Sequence, residues 1–157
     1  MTDFEEENNL EKNLNKNNEV FENYICIPKL TYYDRFDDEE LNINDNILKG
    51  IYSYGFERLS PIQRIAIKPL MDGKDIVVQS HSGTGKTATF LIGVLSRIDV
   101  NNKCPQAIII CNTRELANQT LKVLEAIGNY SDISNKICIG GDMQYKYISN
   151  DINEQII

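Results

Sequence analysis

The sequence contains no tryptophan, one histidine (His81) and four scattered cysteines, Cys26, Cys104, Cys111 and Cys138. With a single imidazole and no Cys-x-x-Cys pair, neither a zinc site nor a disulfide framework is expected, and the thiols read as free. No apolar run approaches the roughly 18 residues needed to span a bilayer. The start has neither a basic segment nor an apolar block followed by small residues, so no secretory signal is read. The expectation is a cytoplasmic or nuclear protein with no membrane association. A basic excess is lacking as well: 16 Lys+Arg stand against 23 Asp+Glu, a formal net charge of -7. The first forty residues hold 12 of the acidic residues and 4 of the basic ones, which leaves 11 against 12 in the remainder. The acidity belongs to a leader, and the rest is nearly neutral.

What is present is one domain's worth of chain. At 157 residues, 41% of them hydrophobic, the sequence can bury an ordinary core, and a second full domain is not expected within it. The leader, residues 1–30, is rich in Asn, Glu and Lys and has too few apolar groups to offset its ordering entropy, so it is expected to be disordered. Residues 31–157 are read as the folded part. Within it Ile47, Leu48 and Ile51 recur at helical spacing, with Gly55 where that helix would end. Ser60, Pro61 and Gln63 then form a helix start, with a hydroxyl cap, a proline at the first helical position and a glutamine that can reach back to the cap. That helix should stop near residues 69–73.

The run DIVVQ at 75–79 is short, β-branched and without polar alternation, as suits a strand buried on both faces. AIIIC at 107–111 and KICIGG at 136–141 repeat the pattern. Between them lie two amphipathic segments, one from Lys86 through Leu91, Val94, Leu95 and Ile98, the other from Arg114 through Ala117, Leu121, Leu124 and Gly128. A further helix is expected from Gln144, ahead of Ile156 and Ile157. Strands alternating with amphipathic helices imply parallel pairing through right-handed crossovers, an α/β protein.

The stretch SHSGTGKT, Ser80 to Thr87, joins the first strand to the following helix. A strand that turns through glycines into a helix aims main-chain N–H groups and the positive helix end at one point, where a triphosphate can sit. Ser82, Gly83, Thr84 and Gly85 would line that point. Lys86 would reach the outer phosphates, and Thr87 would offer its hydroxyl to Mg²⁺. His81, alone in an exposed loop, reads as incidental.

Four segments in this order, GFERLSPIQ, SHSGTGKT, NTRELA and CIGG, resemble the first RecA-like lobe of DEAD-box RNA helicases. The wording of GIYSYGFE and SGTGKTATF is most similar to the initiation factor 4A branch. The resemblance covers about residues 34–157 and implies a partial RecA-like P-loop lobe, a parallel sheet flanked by helices, that uses ATP and Mg and contacts RNA. It implies that Gln63 reads adenine, its amide donating and accepting at once. It also implies that an upstream aromatic stacks on the base. Phe36 is the best placed, the alternative being a hydrophobic residue that anchors the leader to the lobe. Lys86 and Thr87 inherit the catalytic positions of the phosphate loop. Thr113 and Arg114, with Gly140 and Gly141, inherit contacts to the RNA backbone. The near-neutral charge then implies weak RNA binding by this lobe alone. Translation-initiation or RNA-processing proteins are the partners that the branch suggests.

Three positions depart from the family pattern: Ser80 stands for the usual Ala, Leu59 for Pro and Asn112 for Pro. Hydrolysis needs a carboxylate on the metal and an acidic group that orients water. In the family both follow an apolar strand, and no such strand follows here. The expectation is the front part of a helicase lobe, inactive by itself. The alternative is a non-catalytic remnant that binds at most nucleotide or a helicase partner.

Overall fold

The computed structural model describes residues 33–140 and 153–157. The leader, Gly141 and the helix expected from Gln144 lie outside the described residues. Among the described residues four helices stand in chain order: α1 (Asp45–Ser53), α2 (Pro61–Met71), α3 (Lys86–Leu95) and α4 (Arg114–Gly128).

Three of these four helices, all but α3, begin where a side chain can satisfy an otherwise orphaned main-chain N–H. The Asn44 side chain accepts from Asn46 N at 2.9 Å at the head of α1. The Gln63 side chain reaches back to accept from Ser60 N at 2.8 Å ahead of α2. Thr113 Oγ1 accepts from Leu116 N at 3.1 Å at the head of α4. The ends match the sequence reading closely. Gly55 turns the chain out of α1 with φ +98, and Gly73 does so after α2 with φ +74. Pro69 stays inside the last turn of α2.

The helices pack in a chain of pairs, α2 on α3, α3 on α4 and α4 on α1. Their shared core holds Phe36, Leu41, Ile51, Ile67, Leu91, Ile92 and Ile127, none more than 1% exposed. Burying one such side chain contributes about 1.5–3 kcal/mol. The α1–α4 crossing is close enough that a Cβ on Gly50 would fall 1.7 Å from the Ile127 carbonyl oxygen, so no larger residue fits without backbone movement.

The three runs expected as strands do not form ladders with one another among the described residues. What pairs instead is the end of the chain. Ile156 bridges Ala107 and Asn135, both in parallel. Ile157 N donates to Ala107 O at 3.1 Å, and Ile109 N donates to Ile157 O at 2.7 Å. On the other side Ile156 N donates to Ser134 O at 3.2 Å, and Lys136 N to Ile156 O at 2.9 Å. The physical reason is geometric. A helix satisfies its own main chain, whereas an extended run needs a neighbour about 4.8 Å away, and 75–79 has none among the described residues. Its Val77 is 95% exposed, and Ile110 is 90% exposed.

Candidate nucleotide and nucleic-acid site

The phosphate loop sits at the head of α3. Gly83 and Gly85 hold φ of +81 and +92, the left-handed region that glycine enters without steric cost. Gly85 is required twice over. A Cβ there would lie 2.8 Å from Gln63 Nε2 and 3.5 Å from Ser60 Oγ. The start of α2 is thus pressed against the loop. Ser60 Oγ donates to Thr84 O at 2.8 Å, which fixes the middle of the loop from outside.

Inside the loop, Thr84 Oγ1 donates to His81 O at 2.9 Å and meets Ser80 Oγ at 2.9 Å. Because the threonine proton goes to the carbonyl, the serine hydroxyl is the donor of that second bond. Ser80, one of the departures from the family pattern, therefore ties the end of the 75–79 run to the loop's far side. Lys86 Nζ donates to Ser80 O at 2.7 Å and also to His81 O. Its ammonium rests over the loop, held by two carbonyls that cannot neutralise it. An incoming phosphate oxygen would offer the charge that they lack. Thr87 follows it on the first turn of α3.

Gln63 is 2% exposed, with its amide oxygen on Ser60 N and its nitrogen toward Gly85. The expected adenine reader and the phosphate loop are therefore in direct contact. The oxygen still has a second lone pair for a base edge. Phe36 is buried rather than presented. Its ring meets Tyr52 edge-on at 6.5 Å and Phe56 at 6.2 Å, an anchor between the segment ahead of α1 and the core. Beside it, Arg35 forks onto Asp37 at 2.8 and 3.0 Å. The hydrogen bond from that guanidinium holds the Asp37 carboxyl below the usual carboxylate range.

Thr113 and Arg114 begin α4 and are both exposed. The Arg114 guanidinium lies over Gly140, where an added Cβ would be 3.9 Å from Nη2. Three of the four residues expected to meet RNA are thus brought to one place. Gly141 lies outside the described residues. Sequence reasoning missed Ser60 as a clamp on the loop. It identified the residue as a helix cap, and a hydroxyl that serves a distant carbonyl leaves no separate trace in the sequence. It also missed the pairing role of Ile156 and Ile157, a run too short to read as a strand.

A glycine-turned loop at a helix head, with a lysine over it and a second helix start clamped against it, is the arrangement of a P-loop domain. A family model described as "DEAD/DEAH box helicase" matches residues 60–157. The chain belongs to the DEAD/DEAH box helicase family. It is 54% identical over 108 residues to "ATP-dependent RNA helicase eIF4A" of Pyricularia oryzae, a match covering 69% of this chain and 27% of that protein. To "Eukaryotic initiation factor 4A" of Drosophila melanogaster it is 49% identical over 109 residues, again covering 69% of this chain and 27% of the relative. Among solved structures it resembles a DEAD box protein from the hyperthermophile Methanococcus jannaschii, with a TM-score of 0.72 and 35% identity over 80% of this chain and 34% of that one. It also resembles S. cerevisiae Dbp5 bound to RNA and ADP BeF3, with a TM-score of 0.70 and 35% identity over 79% of this chain and 31% of that one. The chain thus spans about a quarter to a third of the length of these relatives. Among the described residues no helix is long and apolar enough to cross a membrane.

Proposed function

We propose that this chain supplies the ATP-binding and part of the RNA-contacting surface of an ATP-dependent RNA helicase, as the front part of a RecA-like α/β lobe with a parallel sheet. The observation that carries the reading is the clamp of α2 on the phosphate loop. Ser60 Oγ on Thr84 O, together with Gln63 against Gly85, joins a base-reading amide to a phosphate cradle in one unit. The fit to a nucleotide is local and specific, since the loop tolerates no side chain at Gly85 and carries one cation, Lys86, whose partners are neutral carbonyls.

In that role Ser82, Gly83, Thr84 and Gly85 offer main-chain donors to the phosphates, and Lys86 leaves its carbonyls for the outer ones. Thr87 would hold Mg²⁺, which supplies charge neutralisation between phosphate oxygens. Gln63 selects adenine, and Phe36 supports the base site from within the core by fixing the segment around Arg35. Thr113, Arg114, Gly140 and Gly141 face the RNA backbone, the first through a helix start and the second through a guanidinium suited to phosphate. For the 157-residue chain by itself we infer binding without turnover, because among the described residues no carboxylate joins the loop's hydrogen bonds. Neither a cytoplasmic nor a nuclear site is favoured over the other, and initiation or RNA-processing partners follow the branch that the relatives' names define.

The test is fluorescent ATP binding with Lys86→Ala as control, followed by an ATPase assay with and without RNA. Binding should fall by about tenfold or more in the variant, in line with loss of a charge-assisted contact of about 1.5–3 kcal/mol. Neither protein should show RNA-stimulated turnover. Equal ATP binding by both proteins would remove the loop from the site. In a chain extended to both lobes, Arg114→Ala should weaken RNA binding about equally for every sequence and make its salt dependence shallower, since fewer counterions are released. Loss of ATP binding without that change would make Arg114 a structural residue.

A further inference from the structure

Thr84, in the middle of the phosphate loop, is held from two sides by serine hydroxyls. Outside the loop Ser60 Oγ donates to Thr84 O at 2.8 Å. A trans peptide points its carbonyl and N–H in opposite directions, so pinning Thr84 O toward α2 turns Gly85 N to the other side. Inside the loop Ser80 Oγ donates to Thr84 Oγ1 at 2.9 Å, and Thr84 Oγ1 donates to His81 O at 2.9 Å. The three groups form a relay with one direction, because a hydroxyl has a single proton to give. Accepting from Ser80 polarises the Thr84 hydroxyl and strengthens the bond that it donates.

The relay ends on a carbonyl that it shares with the loop's cation. Lys86 Nζ donates to His81 O and to Ser80 O, the latter at 2.7 Å. Lys86 is therefore also a tie, fastening residues 80 and 81 to the head of α3. A phosphate oxygen that takes the ammonium undoes that tie, since a charged acceptor outcompetes neutral carbonyls. What then still fastens the 80–81 segment to the far side of the loop is the pair of hydroxyl bonds through Thr84. His81 O keeps a donor when the lysine leaves. With alanine at position 80, the residue usual in the family, the Thr84 hydroxyl loses the group that fixes its rotor, and the segment loses one of its two remaining ties.

We propose that Ser80 is a positioning residue for polyphosphate binding. Its hydroxyl keeps the loop in one shape while Lys86 passes from the carbonyls to the outer phosphates. This role rests on the nucleotide reading of the site and adds to it a residue at which the chain departs from its family. Ser80 acts at the phosphate end, so its contribution is the same whatever base is attached. It is expressed mainly in the rate of release, because a loop that is already ordered gives up less on binding and holds its ligand longer.

The test is stopped-flow release of fluorescent ATP from the 157-residue chain, with ATP, GTP and inorganic tripolyphosphate as competitors. The variants are Ser80→Ala, Ser80→Thr, Thr84→Val and Ser80→Ala combined with Thr84→Val. Ser80→Ala should speed release about threefold to tenfold, the scale of one neutral hydrogen bond. It should weaken ATP, GTP and tripolyphosphate by the same factor, so that base preference does not move. Ser80→Thr keeps the hydroxyl and should release ATP as the unmodified chain does. In the Thr84→Val background Ser80→Ala should add nothing, a dependence that a general loosening of the fold would not show. Release that is unchanged or slower in Ser80→Ala overturns the proposal. So does release as fast in Ser80→Thr as in Ser80→Ala, a shift in the ratio of ATP to GTP affinity, or an effect of the same size in both backgrounds. Lys86→Ala separates this failure from failure of the nucleotide reading. If Lys86→Ala binds ATP as tightly as the unmodified chain, the nucleotide reading falls and the role of Ser80 with it. If Lys86→Ala loses ATP while Ser80→Ala releases it at the unmodified rate, only the role of Ser80 falls.

Discussion

The four-helix side of the molecule and the side carrying its extended runs are built from equally apolar sequence, yet they are finished to different degrees. Leu91 and Ile92 in α3 are fully buried, whereas Ile110 and Val77, in runs at least as hydrophobic, are 90% and 95% exposed. The difference lies in where each element finds its hydrogen bonds. A helix closes its main chain internally and then needs only one packed face, so four helices suffice for a core. An extended run needs partners on both edges and cover on both faces before its side chains leave water. The lesson is that apolar sequence specifies burial only where the partners are also present. Ile156 is buried because it found a wall on each side.

The largest expected effect follows from breaking the finished side. Leu91→Ala removes a fully buried side chain where α3 meets the shared core, and should lower the free energy of unfolding by about 2–5 kcal/mol. Denaturant unfolding followed by circular dichroism would measure it. A loss under about 1 kcal/mol would mean that the helical side is loosely packed in solution, and the contrast drawn above would disappear.

Much of the helical side was legible in the sequence because its signals are local. Ser60 with Pro61 and Gln63 marks a helix start, and the apolar positions of the other helices repeat at helical spacing. The phosphate loop was legible for the same reason, since two glycines, a lysine and a threonine in a row have few other uses. The sheet was less so. Runs at 75–79, 107–111 and 136–141 announce extended structure, but which run pairs with which depends on neighbours distant in sequence. Here the pairing goes to Ile156 and Ile157. The contact of Ser60 with Thr84, 24 residues apart, was equally invisible. Phe36 shows the limit from the other direction. An aromatic at that place reads as a base-stacking surface, and its ring lies in the core instead.

An intermediate effect is expected at the joint between the two sides, where α2 meets the loop. Gln63→Ala removes the amide that both caps α2 at Ser60 N and faces Gly85. Helix capping of this kind is worth about 1 kcal/mol, so a modest stability loss is expected. The discriminating readout is nucleotide choice. The preference for ATP over GTP should narrow by about 1–3 kcal/mol, the scale of a bidentate base contact. If the unmodified protein binds both nucleotides equally, Gln63 is a cap and nothing more.

The smallest effect is expected on the open side, and it is the sharpest test of the comparison. Ile110 is 90% exposed and, by alternation with the inward Ile109 and Cys111, points away from α4. Its side chain leaves almost no contact behind when replaced, so Ile110→Ser should change the unfolding free energy by less than about 0.5 kcal/mol. Colloidal behaviour should respond much more. A run of exposed β-branched residues beside unpaired main chain promotes edge-to-edge association, and one hydroxyl in place of a sec-butyl group interrupts that surface. Light scattering at rising concentration should therefore show later onset of association in the variant at unchanged thermal midpoint. The opposite pattern, a stability loss above about 1 kcal/mol with association unchanged, would place Ile110 in a packed environment in solution. The extended side would then be covered, and its unfinished state would belong to neither the fold nor the function.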